Sequence, residues 1–327
     1  MSLTGRLLAT DGSSAQAPVG IDASWDAMVA SMTFTEPNYT DNCDTFNQWY
    51  QDNTGVFTNG VTMGDLENGD LDARGMSGTE ASPVVIEGKI GGPARWDGNW
   101  VTFRHCLIDS WGTYAAYSTP TYGGYHGIRF ENCTFTATPA TDRDCVLIYS
   151  FGGPGDYFGN SFIQCEITGF SGGLKATGGC YAKYCYMHDM QESSVDGQHV
   201  TCSTARRGRH HMIRCMGTDG GSGVFNVYHE SDCSDLLYEE NVVIGMSPNA
   251  SASYGMDNAK GSDGFAVDAT NMRWINNMTG RYGNPPEPEN YAGIQYGAFS
   301  TTTGLDFGSG GNATKTGNFY IADGTSW

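Results

Sequence analysis

The chain has 327 residues, 46 of them glycine, and a formal net charge of −19. That length fits one elongated all-β domain or two ordinary domains. Only five of the 17 basic residues are lysine, which argues against coating a nucleic-acid duplex or an anionic membrane, both of which need basic surface. No run of 18 apolar residues offers a membrane span, and the opening "MSLTGRLLATDGSSAQAP" lacks the apolar core of a Sec signal.

In chain order, the first predicted element is a helix within residues 19–34, "VGIDASWDAMVASMTF". Asp22 and Ser24 are good N-cap types, and Trp25, Met28, Val29 and Met32 share one helical face. Its expected task is to cover the first coil of the strands beyond it; docking a partner is the alternative. The next stretch, "TEPNYTDNCDTFNQWYQDNTG", reads as an irregular aromatic connection. Together these form an expected N-terminal cap or attachment segment, 1–55.

From there the chain writes one short strand again and again. "VTFRHCLID", "IRFENCTFT", "SFIQCEITG", "AKYCYMHDM" and "HMIRCMGTD" align on Cys106, Cys133, Cys165, Cys185 and Cys215, at intervals of 27, 32, 20 and 30 residues. The register continues with asparagine at Asn241, Asn277 and Asn318, at intervals of 26, 36 and 41. Such a period with variable insertions is the signature of a solenoid. Phe103, Phe130, Phe162 and Met212 lie three residues before the marker, and Leu107, Ile108, Phe135, Ile167 and Met187 one or two after it. A spacing of two predicts strands with one face inward, stacked as parallel sheets. The marker then forms an internal ladder, where a small thiol fits and an asparagine amide can bond both the bend and the next asparagine. The last predicted region, 281–327, is a loop rich in Pro, Gly and Thr that ends in a partial turn of the same kind.

Five of the ten cysteines fall on the ladder and read as buried thiols. Cys43, Cys145, Cys180, Cys202 and Cys233 could include a disulfide, and the last four could form a second column at intervals of 35, 22 and 31. With no Cys-x-x-Cys or Cys/His zinc spacing, no metal or other cofactor is expected.

At this point the chain resembles the right-handed parallel β-helix proteins of the pectate-lyase-like superfamily, especially those of actinobacteria and their bacteriophages. The resemblance rests on "NTGVFTNGVTM", on "SSVDGQHV" followed by "RHHMIRC", and on "LYEENVVIG" and "WINNMTG", and it runs from about Thr54 to Gly280. It implies an all-β fold, a single-stranded right-handed parallel β-helix over 56–280 with an N-terminal capping helix. It also implies a virion structural protein of tailspike or fibre type, which binds host surface carbohydrate or serves particle assembly. Its partners would be other virion proteins and host polysaccharide, as a homotrimer by analogy. Its location would be the virion exterior or otherwise the cell surface, with no nucleic acid bound and no membrane insertion. The architecture is nearly silent about chemistry, because lyases, hydrolases and adhesins all use it.

A polysaccharide depolymerase, lyase or glycosidase, is the alternative. Its residues would come from the densest titratable stretch: His188, Asp189, Asp196, His199, Arg206, Arg207, Arg209, His210, His211, Asp219, His229 and Glu230. Asp189, Asp196, Asp219 and Glu230 are the candidate acid, base or nucleophile, with His199 and Arg209 to stabilise charge. Asp109, Asp189 and Asp219 follow ladder residues by three or four positions and are expected to stack. No Asp-Asp pair exists, and "YHG" at 125–127 is only a fragment of the polygalacturonase-like pattern. For carbohydrate binding the candidates are Trp111, Tyr114, Tyr117, Tyr122 and Tyr125, from "DSWGTYAAYSTPTYGGYHG". A packed, Tyr-rich flank is the alternative reading of that loop.

Overall fold

In each repeat the chain makes a sharp bend one residue before the ladder. Gly88, His105, Asn132, Gln164, Tyr184, Arg214, Glu240, Asn276 and Gly317 all have positive φ, between 49° and 69°. A left-handed residue costs a non-glycine side chain about 1–2 kcal/mol. The stacking offsets it, because the bend N–H is bonded to the repeat above: His105 to Glu131 O, Asn132 to Ile163 O, Tyr184 to Ile213 O and Asn276 to Thr316 O, at 2.8–3.1 Å. The ladder residue comes next, and its carbonyl accepts from the following repeat, as Cys133 O does from the Glu166 N–H at 2.9 Å.

The computed structural model describes residues 20–110, 114–118, 125–149, 159–177, 179–191, 201–207, 209–218, 223–227, 234–244, 254–258, 270–280 and 314–326. Two parallel sheets carry the repeats, one of nine strands and one of sixteen among these residues. The strand before the bend joins the nine-stranded sheet, as in Val101–Arg104, Ile128–Glu131 and Asn160–Ile163. The strand after it joins the larger sheet, as in Leu107–Ser110 and Tyr186–His188. A third strand stacks in a separate ladder of that sheet, as in Asp72–Ala73, Ala94–Trp96 and Ala116–Ser118. This arrangement of parallel stacked rungs is consistent with a β-helix-like solenoid.

The predicted register holds along the ladder. Thr134 pairs with Leu107 and with Glu166, Tyr186 with Glu166 and Met216, Val242 with Met216 and Met278, and Met278 with Phe319. The residues just before these, Cys106 to Asn318, are therefore aligned, and all are at most 1% exposed. The thiols donate backwards: Cys133 to Phe103 O, Cys165 to Phe130 O and Cys185 to Phe162 O, at 3.4–3.5 Å. The asparagines do more. Asn277 Nδ2 donates to Tyr238 O at 2.9 Å and to Asn318 Oδ1 at 2.9 Å, while its own Oδ1 accepts from the Asn241 N–H at 3.1 Å and Asn241 Nδ2 at 3.0 Å.

Two residues inward of the bend, the core is a column of rings. Phe130 lies parallel to Phe103 at 5.0 Å and to Phe162 at 5.1 Å, and Tyr238 lies parallel to Trp274 at 4.1 Å. Cys43, Cys106, Cys133, Cys165, Cys180, Cys185, Cys202 and Cys215 are free and buried. The second cysteine column does not form. Cys180 pairs in register with Asn160 and His210 in the nine-stranded sheet, whereas Cys202 lies in Thr201–Arg207 of the other sheet. Cys145 falls in the strand Thr134–Tyr149, and Cys233 lies outside the described residues.

The N-terminal unit, residues 1–32, contains α1 (Ile21–Ser31). It starts from Gly20, so Asp22 lies in the first turn, where its charge favours the helix dipole, and Ile21, Trp25 and Met28 are buried. The stretch expected to be irregular is instead a second helix, α2 (Tyr39–Asn53), in the larger unit. Asn42, Cys43, Phe46, Trp49 and Tyr50 form its buried face.

This helix runs lengthwise across the rungs. A Cβ on Gly280 would meet the Tyr39 hydroxyl at 2.6 Å, Tyr50 donates to Arg214 O at 2.5 Å and stacks on Tyr186, and Asn53 O accepts from Gln164 Nε2 at 3.1 Å. A 15-residue helix is about 22 Å long, and the four spacings from the Asn277 rung to the Cys165 rung come to about 19 Å, so the lengths match. At the far end, Gly317–Thr325 makes the predicted partial turn, with Phe319 against Phe34 at 4.9 Å. The expected loop at 281–313 lies outside the described residues.

Candidate functional site

Ladder register decides which outward side chains meet, and it separates the described candidates into three groups. The first is on the third strands, where Asp72, Arg95 and Tyr117 are in register on successive rungs. Ala73, Ala94, Trp96, Ala116 and Ser118 point inward and are at most 3% exposed, so alternation turns Asp72, Arg95 and Tyr117 outward. The Arg95 guanidinium lies over the Tyr117 ring, 5.5 Å from its centre, and Tyr114 meets Tyr117 edge-on at 6.2 Å. Arg74 holds Asp72: its Nε donates to both oxygens at 2.8 Å and its Nη2 to Oδ2. Those bonds keep the Asp72 carboxyl below the usual range, with a smaller contribution from the charge of Arg95. Tyr125, by contrast, packs against the core, so the flank reading applies to it.

A second group surrounds His188 on the second strands. Its Nδ1 is 2.7 Å from Asp189 Oδ2 and its Nε2 is 3.1 Å from Glu166 Oε1. A neutral imidazole has one N–H, so two carboxylate acceptors require the imidazolium. Burial opposes that charge, but the two carboxylates outweigh it and raise the His188 pKa. Glu166 Oε2 accepts from Thr134 Oγ1 at 3.0 Å, and Thr134 Oγ1 accepts from the Val56 N–H at 2.9 Å. Gly55 has φ +81°, and a Cβ there would strike Glu166 Oε2 at 2.6 Å, so this approach requires glycine. The clasp thereby fastens the exit of α2 to three rungs.

The third group lies on the nine-stranded sheet. Asp235 Oδ2 accepts from Arg209 Nε at 3.0 Å, Arg209 Nη2 at 2.9 Å and His211 Nε2 at 3.1 Å, and Oδ1 accepts from Arg273 Nη2 at 2.6 Å. Burial lowers the His211 pKa, and Asp235 restores only part of it.

Among the sequence candidates, Asp189 and Arg209 thus belong to different groups on different sheets. Of the expected carboxylate stack, Asp109 and Asp189 do not come into line, and Asp219 lies outside the described residues. Asp109 pairs with Thr136, Thr136 with Thr168 and Thr168 with His188, so the side chain in line with Asp109 on the Asp189 rung is the histidine, about 14 Å away over three rungs. That exceeds the separations of about 5–9.5 Å used by paired glycosidase carboxylates. Asp196, His199, Asp219, Glu230, Trp111 and Tyr122 lie outside the described residues.

Sequence reasoning missed Arg95, Arg74, Asp72, Glu166, Asp235 and Arg273. Two of these were recoverable from the ladder: Asp235 stands six residues before its marker, as Arg209 does, and Arg273 stands four before, as His211 does. No family model matches the chain, and neither does any curated protein or solved structure.

Proposed function

We propose that the chain is a right-handed parallel β-helix protein of the phage tailspike or fibre kind, which binds host surface carbohydrate from the outer face of the virion. The observation that supports adhesion is the outward Tyr114–Tyr117 pair beside Arg95. Tyrosine rings give a flat apolar surface with a polar tip, suited to the C–H face of a sugar ring, and they lose little side-chain entropy on binding. The described candidates for catalysis favour this reading over depolymerisation. Both nitrogens of His188 are taken up by carboxylates, Asp189 among them, and Asp235 holds Arg209 by two bonds, so the imidazole and the guanidinium are both engaged within the fold. The virion setting and the trimer rest on the resemblance alone.

The test is binding of the intact protein to purified host surface polysaccharide, measured by affinity electrophoresis. Tyr117→Ala should weaken binding about tenfold, the loss of one stacking ring at about 1.4 kcal/mol. Wild-type protein that ignores the polymer would remove the adhesion reading. Shortening of the polymer that disappears in Asp196→Asn or Asp219→Asn would replace it with the depolymerase.

A further inference from the structure

We infer that the saccharide bound at the Tyr114–Tyr117 face carries an anionic substituent, read by the guanidinium of Arg95. The inference rests on the carbohydrate reading above and adds the ligand class.

Four other arginines on the described rungs are matched to carboxylates on neighbouring strands, Arg104 to Glu131, Arg214 to Glu240, and Arg209 and Arg273 to Asp235, and Arg129 is paired with Glu131 on its own strand. Arg95 breaks that pattern. The carboxylate below it in register is Asp72, whose two oxygens are held by Arg74. The residue above it is Tyr117. The neighbouring Asp97 accepts from the Gly75 N–H at 2.5 Å.

Such a corner has a clear complement. Tyr117 and Tyr114 cover the apolar side of a sugar, and the planar fork of Arg95 accommodates a carboxylate, sulfate or phosphate oxygen pair beside it. A neutral sugar would use the rings and leave the guanidinium charge unanswered. The negative charge of the rest of the chain does not oppose this at contact range, because exposed charges are screened beyond about 8 Å at physiological ionic strength.

The experiment measures affinity of the intact wild type, Arg95→Gln, Arg95→Lys and Tyr117→Ala for four preparations of host surface polysaccharide: native, carboxyl-reduced, desulfated and dephosphorylated. One of the three treatments should lower wild-type affinity about tenfold to a hundredfold, the range for one charged hydrogen-bonded pair, and it identifies the anionic group. Arg95→Gln should lose the same factor on the native polymer and nothing further on the treated one. Arg95→Lys should fall between, keeping the charge without the fork. Tyr117→Ala should weaken binding to every preparation. Equal wild-type affinity for all four, or an unchanged Arg95→Gln, would overturn the anionic ligand while adhesion stands. A Tyr117→Ala variant that binds as wild type would overturn the site itself. Melting temperatures within a few degrees of wild type confirm that the variants, all altered on an outward face, are folded.

Discussion

Lowering the pH should destabilise the protein through a single histidine. His210 occupies the inward column between Cys180 and Leu236 and is 1% exposed. Its Nε2 is 3.3 Å from Ser203 Oγ, and its Nδ1 has no partner among the described residues. Burial pushes its pKa down to about 3, helped by the neighbouring His211. The unfolded chain takes up this proton near its ordinary value of about 6.5, so the folded state keeps its full advantage above that pH and loses it progressively down to about 3. At pH 4.5 the loss amounts to about 2.7 kcal/mol, at about 1.36 kcal/mol per unit below 6.5. Leucine fits the column, since Leu236 fills the same position one rung on. Urea unfolding of wild type and His210→Leu at pH 7.5 and pH 4.5 isolates the effect, because every other titrating group is common to both proteins. Wild type should lose about 2.7 kcal/mol more than the variant on acidification. Equal losses in the two would refute the reasoning and mean that His210 is solvated.

The ring column predicts a contrast on one scale: Phe130→Ala should cost about 3–5 kcal/mol, because stacked rings on both sides hold the gap open, while the outward Tyr117→Ala should cost under about 1 kcal/mol in the same melts. Asn277→Ala should cost about 2–4 kcal/mol by stranding Tyr238 O and the Asn241 amide, and Asn277→Cys, the ladder's own alternative, should cost clearly less by denaturant midpoint. His188 runs opposite to His210. Its raised pKa means that the clasp is complete below the unfolded value and is lost as pH rises through the folded one, so alkaline solution should weaken wild type more than His188→Gln. Hydrogen exchange at Val56, whose N–H ends that relay, reports it directly.

The ladder and its inward neighbours were legible because a period of two and a recurring marker survive any loop length. The second helix was not, although the spacing of Asn42, Cys43, Phe46, Trp49 and Tyr50 is helical. Its Asn, Asp and Thr residues have poor intrinsic propensity, and what stabilises it is the docking of that face on Tyr184 and Tyr186, long-range contacts that no local window contains. The candidate site was half legible. Tyr114 and Tyr117 stood out by composition, but Arg95 and Asp72 stand at different distances from their own ladder positions, so nothing in the sequence set them in register with Tyr117.

The change of marker from cysteine to asparagine also has a physical cause. The two longest intervals on the ladder, 36 and 41 residues, are the two spanned by asparagine at both ends. Loop closure grows only logarithmically, so doubling the insertion from 20 residues costs about 0.6 kcal/mol. A thiol at the bend donates weakly to the rung behind it and meets the next thiol ahead only through a weak sulfur hydrogen bond. An asparagine bonds in both directions: Asn277 reaches Tyr238 O behind it and Asn318 Oδ1 ahead, while Asn318 Oδ1 also takes the Asn277 backbone N–H. Each such bond contributes about 0.5–1.5 kcal/mol, so a pair of them exceeds the added closure cost. The amide ladder is thus sufficient to hold register where the insertions are longest, and the thiol ladder suffices where they are shorter.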